Sequence, residues 1–121
     1  MQDALKAYAQ VAKETASPRE LEALLLLKAA SKLQAVHEAW RDNPRGLDDA
    51  LLYNRRLWTV FLDAVCEDDS PLPVSIRQNI ANLGVFVMSE TFSLMNDPKP
   101  AHLIPLININ RELAAGLRGN G

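Results

Sequence analysis

Residues 50–62 read Ala50-Leu51-Leu52-Tyr53-Asn54-Arg55-Arg56-Leu57-Trp58-Thr59-Val60-Phe61-Leu62. Their apolar members do not alternate as they would in a half-buried strand. Extended outward, Leu47, Leu51, Asn54, Trp58, Phe61 and Val65 fall at alternating spacings of four and three. That is the packing seam of a helix, with one polar member. A helix brings side chains at i±3 and i±4 together. For Arg55 these are Leu51, Leu52, Trp58 and Thr59; for Arg56 they are Leu52, Tyr53, Thr59 and Val60. None is a carboxylate, so both guanidinium groups must face water, another helix or a partner.

The same period runs through the rest of the chain. Asp3 to about Glu14 forms a short amphipathic helix, with Leu5, Tyr8 or Ala9, and Ala12 on one side. Ser17-Pro18-Arg19-Glu20 is a start signal: a capping serine, proline at the first helical position and a glutamate placed for a capping box. The helix that follows runs to about Arg41. Its stripe is Leu26, Ala29, Ala30, Leu33, Val36, His37 and Trp40, and Asn43-Pro44-Arg45-Gly46 ends it with a turn. A third helix spans about Leu47 to Glu67. From about Pro73 to Met95 a fourth carries Ile76, Ile80, Leu83, Val87 and Leu94 on one side, with Val85, Phe86, Met88, Phe92 and Met95 over much of the remainder. A helix apolar around most of its circumference is expected to be buried, which places this one at the centre. After Asn96-Asp97-Pro98-Lys99-Pro100, the last helix occupies about Ala101 to Leu117, with the stripe Leu103, Leu106, Ile107, Asn110, Leu113, Ala114 and Leu117. Pro105 suits its first turn. The fold expected is an all-α, small helical bundle of four main helices plus a short N-terminal helix. Residues 1–121 form a single domain without internal repeats.

Composition bounds the function. The chain has 121 residues, 48% apolar and 23% charged, with net charge −2, which is ordinary globular usage. Nucleic-acid binding draws on many phosphate-neutralising cations, so a slightly acidic chain disfavours it. A single cysteine, Cys66, excludes an intrachain disulfide and suits a reducing compartment. No secretory signal is visible. The apolar run Leu21 to Ala30 is about half the length a membrane span needs. A cytoplasmic protein without a membrane segment is expected.

Catalytic chemistry finds no cluster, and no enzyme, metal or cofactor is expected. His37-Glu38-Ala39-Trp40-Arg41 begins like a helical zinc motif but has arginine where the second histidine must stand. His102, behind a proline, reads as exposed. The acidic neighbours of Cys66 work against a thiolate. Gly84 stands alone within a helix and reads as a mark of close helix packing. What remains is apolar surface with a few polar insertions, Asn54 in one seam and Asn110-Arg111 in another. In one reading the two asparagines satisfy each other or a helix end and fix register, while the stem of Arg111 covers apolar surface. In the other, Arg55 or Arg56 and Arg111 frame a groove for an amphipathic helix, binding carboxylates or terminal carbonyls with their planar forks.

The chain resembles the FlaF family of flagellar-biosynthesis regulators. The resemblance is carried by Asn54-Arg55-Arg56-Leu57-Trp58-Thr59, by Leu72-Pro73 with Ile76-Arg77 and Ile80, by Leu83-Gly84-Val85-Phe86-Val87, and by Leu103-Ile104-Pro105-Leu106-Ile107-Asn108-Ile109-Asn110-Arg111-Glu112-Leu113. These elements cover nearly the whole chain in order. Ser89-Glu90-Thr91 departs from the basic or histidine-containing stretch of other members. The resemblance implies a helical cytoplasmic protein that binds newly made flagellin, as an export chaperone and with consequences for flagellin translation, alongside a second regulator, FlbT. Unassembled flagellin ends in amphipathic helices that an apolar, helix-lined groove would mask. The groove expected combines the third, fourth and fifth helices, with Trp58, Phe61 and Phe86 as apolar anchors and Arg55, Arg56, Asn110 and Arg111 as polar contacts. Two alternatives stand beside it: direct binding of messenger RNA, for which Arg55-Arg56 beside Trp58 is the one stretch resembling a stacking platform, and a homodimer that buries the same seam.

Overall fold

In a computed structural model, residues 18–41, 46–67, 69–70 and 72–119 are described. They form helices α1 (Pro18–Glu38), α2 (Gly46–Val65), α3 (Val74–Asn96) and α4 (Leu103–Leu117), with a 3-10 turn at Pro100–His102 before α4. No strand occurs among them, so the expected all-α bundle is what the chain forms. The N-terminal helix expected over Asp3–Glu14, and the cap at Ser17, lie outside the described residues.

The helices run alternately up and down. Arg118, just past α4, bonds Glu20 in the first turn of α1, Nη2 to Oε1 at 2.9 Å, so α1 and α4 are antiparallel. Gly46 opens α2 against Val36 near the end of α1. Thr91 and Met95, late in α3, meet Leu51 and Arg55, early in α2. The starts of α1 and α3 therefore share one end of the bundle with the ends of α2 and α4. The most extensive packing joins α1 to α4, and α2 lies against both α1 and α3.

The expected stripes find the core. Leu47, Leu51, Asn54, Trp58, Phe61 and Val65 are all buried in α2. Leu26, Leu33, Leu103 and Leu106 are inaccessible to solvent. At about 25 cal/mol per Å² of apolar surface, such residues supply most of the drive to fold.

Three expectations need correction. The helix from Pro18 stops at Glu38, and Ala39–Arg41 form a turn. The last helix begins at Leu103. Pro105 has no N–H to return to the carbonyl of Ala101, and the preceding residues close tighter bonds instead, such as His102 N–H to Lys99 O at 3.1 Å. The largest correction concerns α3. It is not central: it packs chiefly on α2 and touches α4 over a narrower strip. Only its Ile80, Gly84, Val87, Thr91 and Leu94 face is buried. Gly84 is the reason α2 and α3 come so close, since a Cβ there would overlap the Leu62 side chain.

Candidate functional site

The polar insertions meet in the core. Trp58 donates its indole N–H to Asn110 Oδ1 at 2.9 Å. Asn110 Nδ2 in turn donates to Asn54 Oδ1 at 2.7 Å. All three side chains are fully buried. The indole is a donor only, so it fixes which end of the Asn110 amide faces it, and that choice fixes Asn54. The chain ends at Asn54 Nδ2, which has no hydrogen-bond partner. Phe61 closes the apolar side of this cluster, its ring edge-on to Trp58 at 5.8 Å and 87°. Of the two readings of the asparagines, the mutual bond is the one the geometry has. Trp58 and Asn110 are thus internal and line no groove.

The other expected contact residues are spread over separate faces. Arg55, Arg56 and Arg111 are exposed, and none forms an ion pair among the described residues. Arg55 borders a cleft of about 300 Å³ between α2 and α3, with Leu52, Thr91 and Met95. Arg56, one residue on and so about 100° around the helix, borders a different depression with Tyr53, Leu57 and Val60. Lys28 and Lys32 of α1 lie over the Tyr53 ring at 5.6 and 5.2 Å, and the depression's wall carries Lys32 and Arg56 together with Asp49. Phe61 forms part of the wall of a third pocket, at the end of the bundle. Phe86 and Arg111 line none of the three. A single groove framed by all of these arginines does not exist in this arrangement.

A different surface stands out, and the seven-residue pattern of the chain contains it. Val74, Gln78, Ala81, Val85, Met88, Phe92 and Met95 fall at alternating spacings of four and three along α3, the repeat that keeps one seam facing a partner helix. Its Val85 (70% exposed), Phe92 (68%) and Met95 (57%) look outward, while Met88 is half-buried against the core. Phe86, at 42%, flanks this seam on the side away from α2. The helix carries only two charged residues, Arg77 and Glu90, and both are engaged elsewhere. Arg77 Nη1 donates to the Glu67 carbonyl past the end of α2 at 3.2 Å. Glu90 Oε2 pairs with His102 Nδ1 at 2.9 Å, so His102 is half-buried and partnered rather than free. Over its second half the outer side of α3 therefore presents Val85, Phe86, Phe92 and Met95 among uncharged polar residues such as Ser89 and Ser93, with Asp48 and Arg55 of α2 lining the cleft beside Met95.

Clusters of exposed large apolar side chains are the surface feature from which interaction sites are sought, and Val85, Phe86, Phe92 and Met95 are such a cluster on α3. The expectation of a helix buried around most of its circumference placed Val85, Met88, Phe92 and Met95 inside, and Val85, Phe92 and Met95 are exposed. The signal that separates the two seams was Gly84, which lies on the inward one.

Among the described residues no helix is long and apolar enough to cross a membrane, and no group of three metal-ligating side chains converges. No curated protein and no solved structure shows significant similarity to the chain. The family model for flagellar protein FlaF, however, matches residues 4–117, which takes in all four helices, the buried asparagine pair and the outer seam of α3. The chain belongs to the FlaF family of flagellar proteins.

Proposed function

We propose that this protein binds flagellin through the outer face of α3, acting as its export chaperone and, by holding it, as a post-transcriptional regulator of flagellin production. One observation supports the reading: an uncharged seam along α3 with the spacing that receives another helix, of which Val85, Phe92 and Met95 are more than half exposed. An amphipathic helix from unassembled flagellin would lay its apolar face on Val85, Met88, Phe92 and Met95. Arg55, at the edge and without an ion pair among the described residues, would meet a carboxylate on that helix's polar flank. The protein's role here is to bind rather than to catalyse, and FlbT would act on the resulting complex.

Titration calorimetry of flagellin against wild type, Phe92→Glu and Arg55→Ala tests this. Placing a charge among the exposed apolar side chains of the seam is expected to weaken binding at least about a hundredfold, as an unpaired charge desolvated by a partner's apolar face does. Arg55→Ala should weaken it less, by about tenfold or under, as for a rim contact. Arg111→Ala should have no effect. Undiminished affinity of Phe92→Glu would overturn the assignment. So would affinity that collapses with salt, which is the signature of phosphate contacts.

A further inference from the structure

A strip of opposite character to the α3 seam lies where α1 meets α2. The sequence sets it up: no acidic residue occurs between Glu22 and Glu38, and none between Asp49 and Asp63. The lysines and arginines of those two stretches are Lys28, Lys32, Arg55 and Arg56. Arg55 borders the cleft toward α3, and the other three gather around one ring. Lys28 and Lys32, about one helical turn apart, hold their ammonium groups 5.6 and 5.2 Å from the centre of the Tyr53 ring. Arg56 follows Tyr53 at i+3. With Lys32 it lines a depression of about 540 Å³ whose apolar wall is Leu52, Leu57 and Val60. None of the three cations forms an ion pair among the described residues. Nothing in the function proposed above uses this strip.

The strip has acidic ends. Asp49, Tyr53, Arg56, Val60 and Asp63 recur at spacings of four and three along α2 and so share one side of it. At 1.5 Å per residue the two carboxylates stand roughly 21 Å apart, with the cations between them. That order of charges discriminates between partners. A nucleic-acid strand is negative at every phosphate, so one laid along the strip would bring phosphates against Asp49 or Asp63. It would also need an aromatic face on which to stack a base, and ammonium groups already lie over Tyr53. A protein segment can confine its carboxylates to about two helical turns and set apolar side chains beside them. It then satisfies the cations and the apolar wall together. The ring also restrains both lysine heads before any partner arrives, which lowers the cost of ordering them on binding. We infer that the depression between α1 and α2 binds a short acidic, amphipathic segment of a partner protein. Lys28, Lys32 and Arg56 receive its carboxylates, and Leu57 and Val60 its apolar side chains. This surface is separate from the α3 seam.

Amide NMR of the full chain tests the assignment. The probe is a capped synthetic peptide of glutamate and leucine, and its control is the same peptide with glutamine in place of glutamate. Saturable shifts at the amides around Lys28, Lys32, Tyr53 and Arg56 are expected with the first and none with the second. Arg56→Glu, at an exposed position, should raise the Kd at least about tenfold, as a like charge set against a carboxylate does, while the Trp58 indole signal, which reports the core, stays in place. Lys99→Glu changes the net charge equally at an exposed site outside the strip and should leave the Kd unchanged. Three results overturn the inference: no saturable shift at those amides, equal affinity for the glutamine peptide, or an equal loss in Lys99→Glu. An oligouridylate of matched charge that binds the same amides more tightly than the peptide, at the same salt concentration, overturns it as well and assigns the strip to nucleic acid. Phe92→Glu should bind the probe as wild type does; a loss there would place the probe on the α3 seam and overturn the assignment to this strip. No flagellin enters the experiment, so its failure leaves the α3 proposal standing, and the reverse.

Discussion

Along α2 the seam that faces the core contains polar groups, Asn54 and the Trp58 indole, each fully enclosed. Along α3 the face that meets water contains Val85, Phe92 and Met95, each more than half exposed. The two helices are of similar length and pack on each other, yet they place polar and apolar chemistry in opposite senses. The inner polar groups are almost completely matched among themselves, through two short hydrogen bonds. Val85 and Phe92 are left largely uncovered by the described residues. Matched groups inside specify how the bundle closes; unmatched groups outside specify what it meets.

The largest effect expected on the inner side comes from Asn110→Leu. It leaves the buried Trp58 N–H and the Asn54 amide both without partners, at about 1–3 kcal/mol for each. A loss of roughly 3–4 kcal/mol in denaturant unfolding is the expected sum. Asn54→Leu should cost clearly less, about 1 kcal/mol. It strands only Asn110 Nδ2, keeps the Trp58 bond, and removes an N–H that already lacks a partner. Equal costs for the two would mean that the hydrogen-bond chain is not ordered from Trp58 outward. On the outer side Phe92→Glu, so damaging to the proposed partner binding, should leave unfolding within about ±0.5 kcal/mol, as surface substitutions do. A large loss of stability there would erase the contrast between the two faces.

The seam between them offers a smaller test. Gly84→Ala adds helix propensity, worth about 1 kcal/mol. It also drives a Cβ into Leu62, and overpacking costs about 1–3 kcal/mol. A net loss near 1 kcal/mol is expected. Gly116→Ala, with nothing near its Cβ, should instead be neutral or slightly stabilising. If both alanines stabilise, α2 and α3 are not held at the distance Gly84 sets.

These contrasts also show what was legible before the fold was known. The α2 seam was complete in the sequence, because each of its six members is buried and the spacing has one interpretation. The pairing of Asn54 with Asn110 was legible as one of two readings, since two asparagines in two apolar stripes have little else to bond. The α3 helix was not legible in the same way. Two apolar seams share it, and periodicity gives an angle around a helix without saying which angle meets a neighbour. Inward burial of both was the simpler expectation, and only the close approach at Gly84 separates them. The arginines failed for the same reason: Arg55 and Arg56 are adjacent in sequence but border different clefts, because neighbouring residues on a helix do not share a face.

The smallest effect expected lies at Glu22, on the wall of the end pocket, where a charge is neither enclosed like Asn110 nor open like Arg55. Partial burial raises its pKa above the ordinary carboxylate value, and Arg19 pulls it partly back. The folded chain then holds this proton more tightly than the unfolded chain does. Ionised Glu22 therefore opposes folding at neutral pH. That opposition fades as the pH falls through the raised value, and it is gone below the ordinary one. Glu22→Gln should stabilise the chain slightly at pH 7, by an amount kept small because much of the group is still screened by solvent. The advantage should disappear under acidic conditions, where wild type and variant are both neutral at this position. Thermal unfolding of the pair across that pH range reads it directly. A variant less stable than wild type at pH 7 would mean that the carboxylate is held by a cation at the pocket rim, and the pocket would then belong with the matched interior rather than with the open surface.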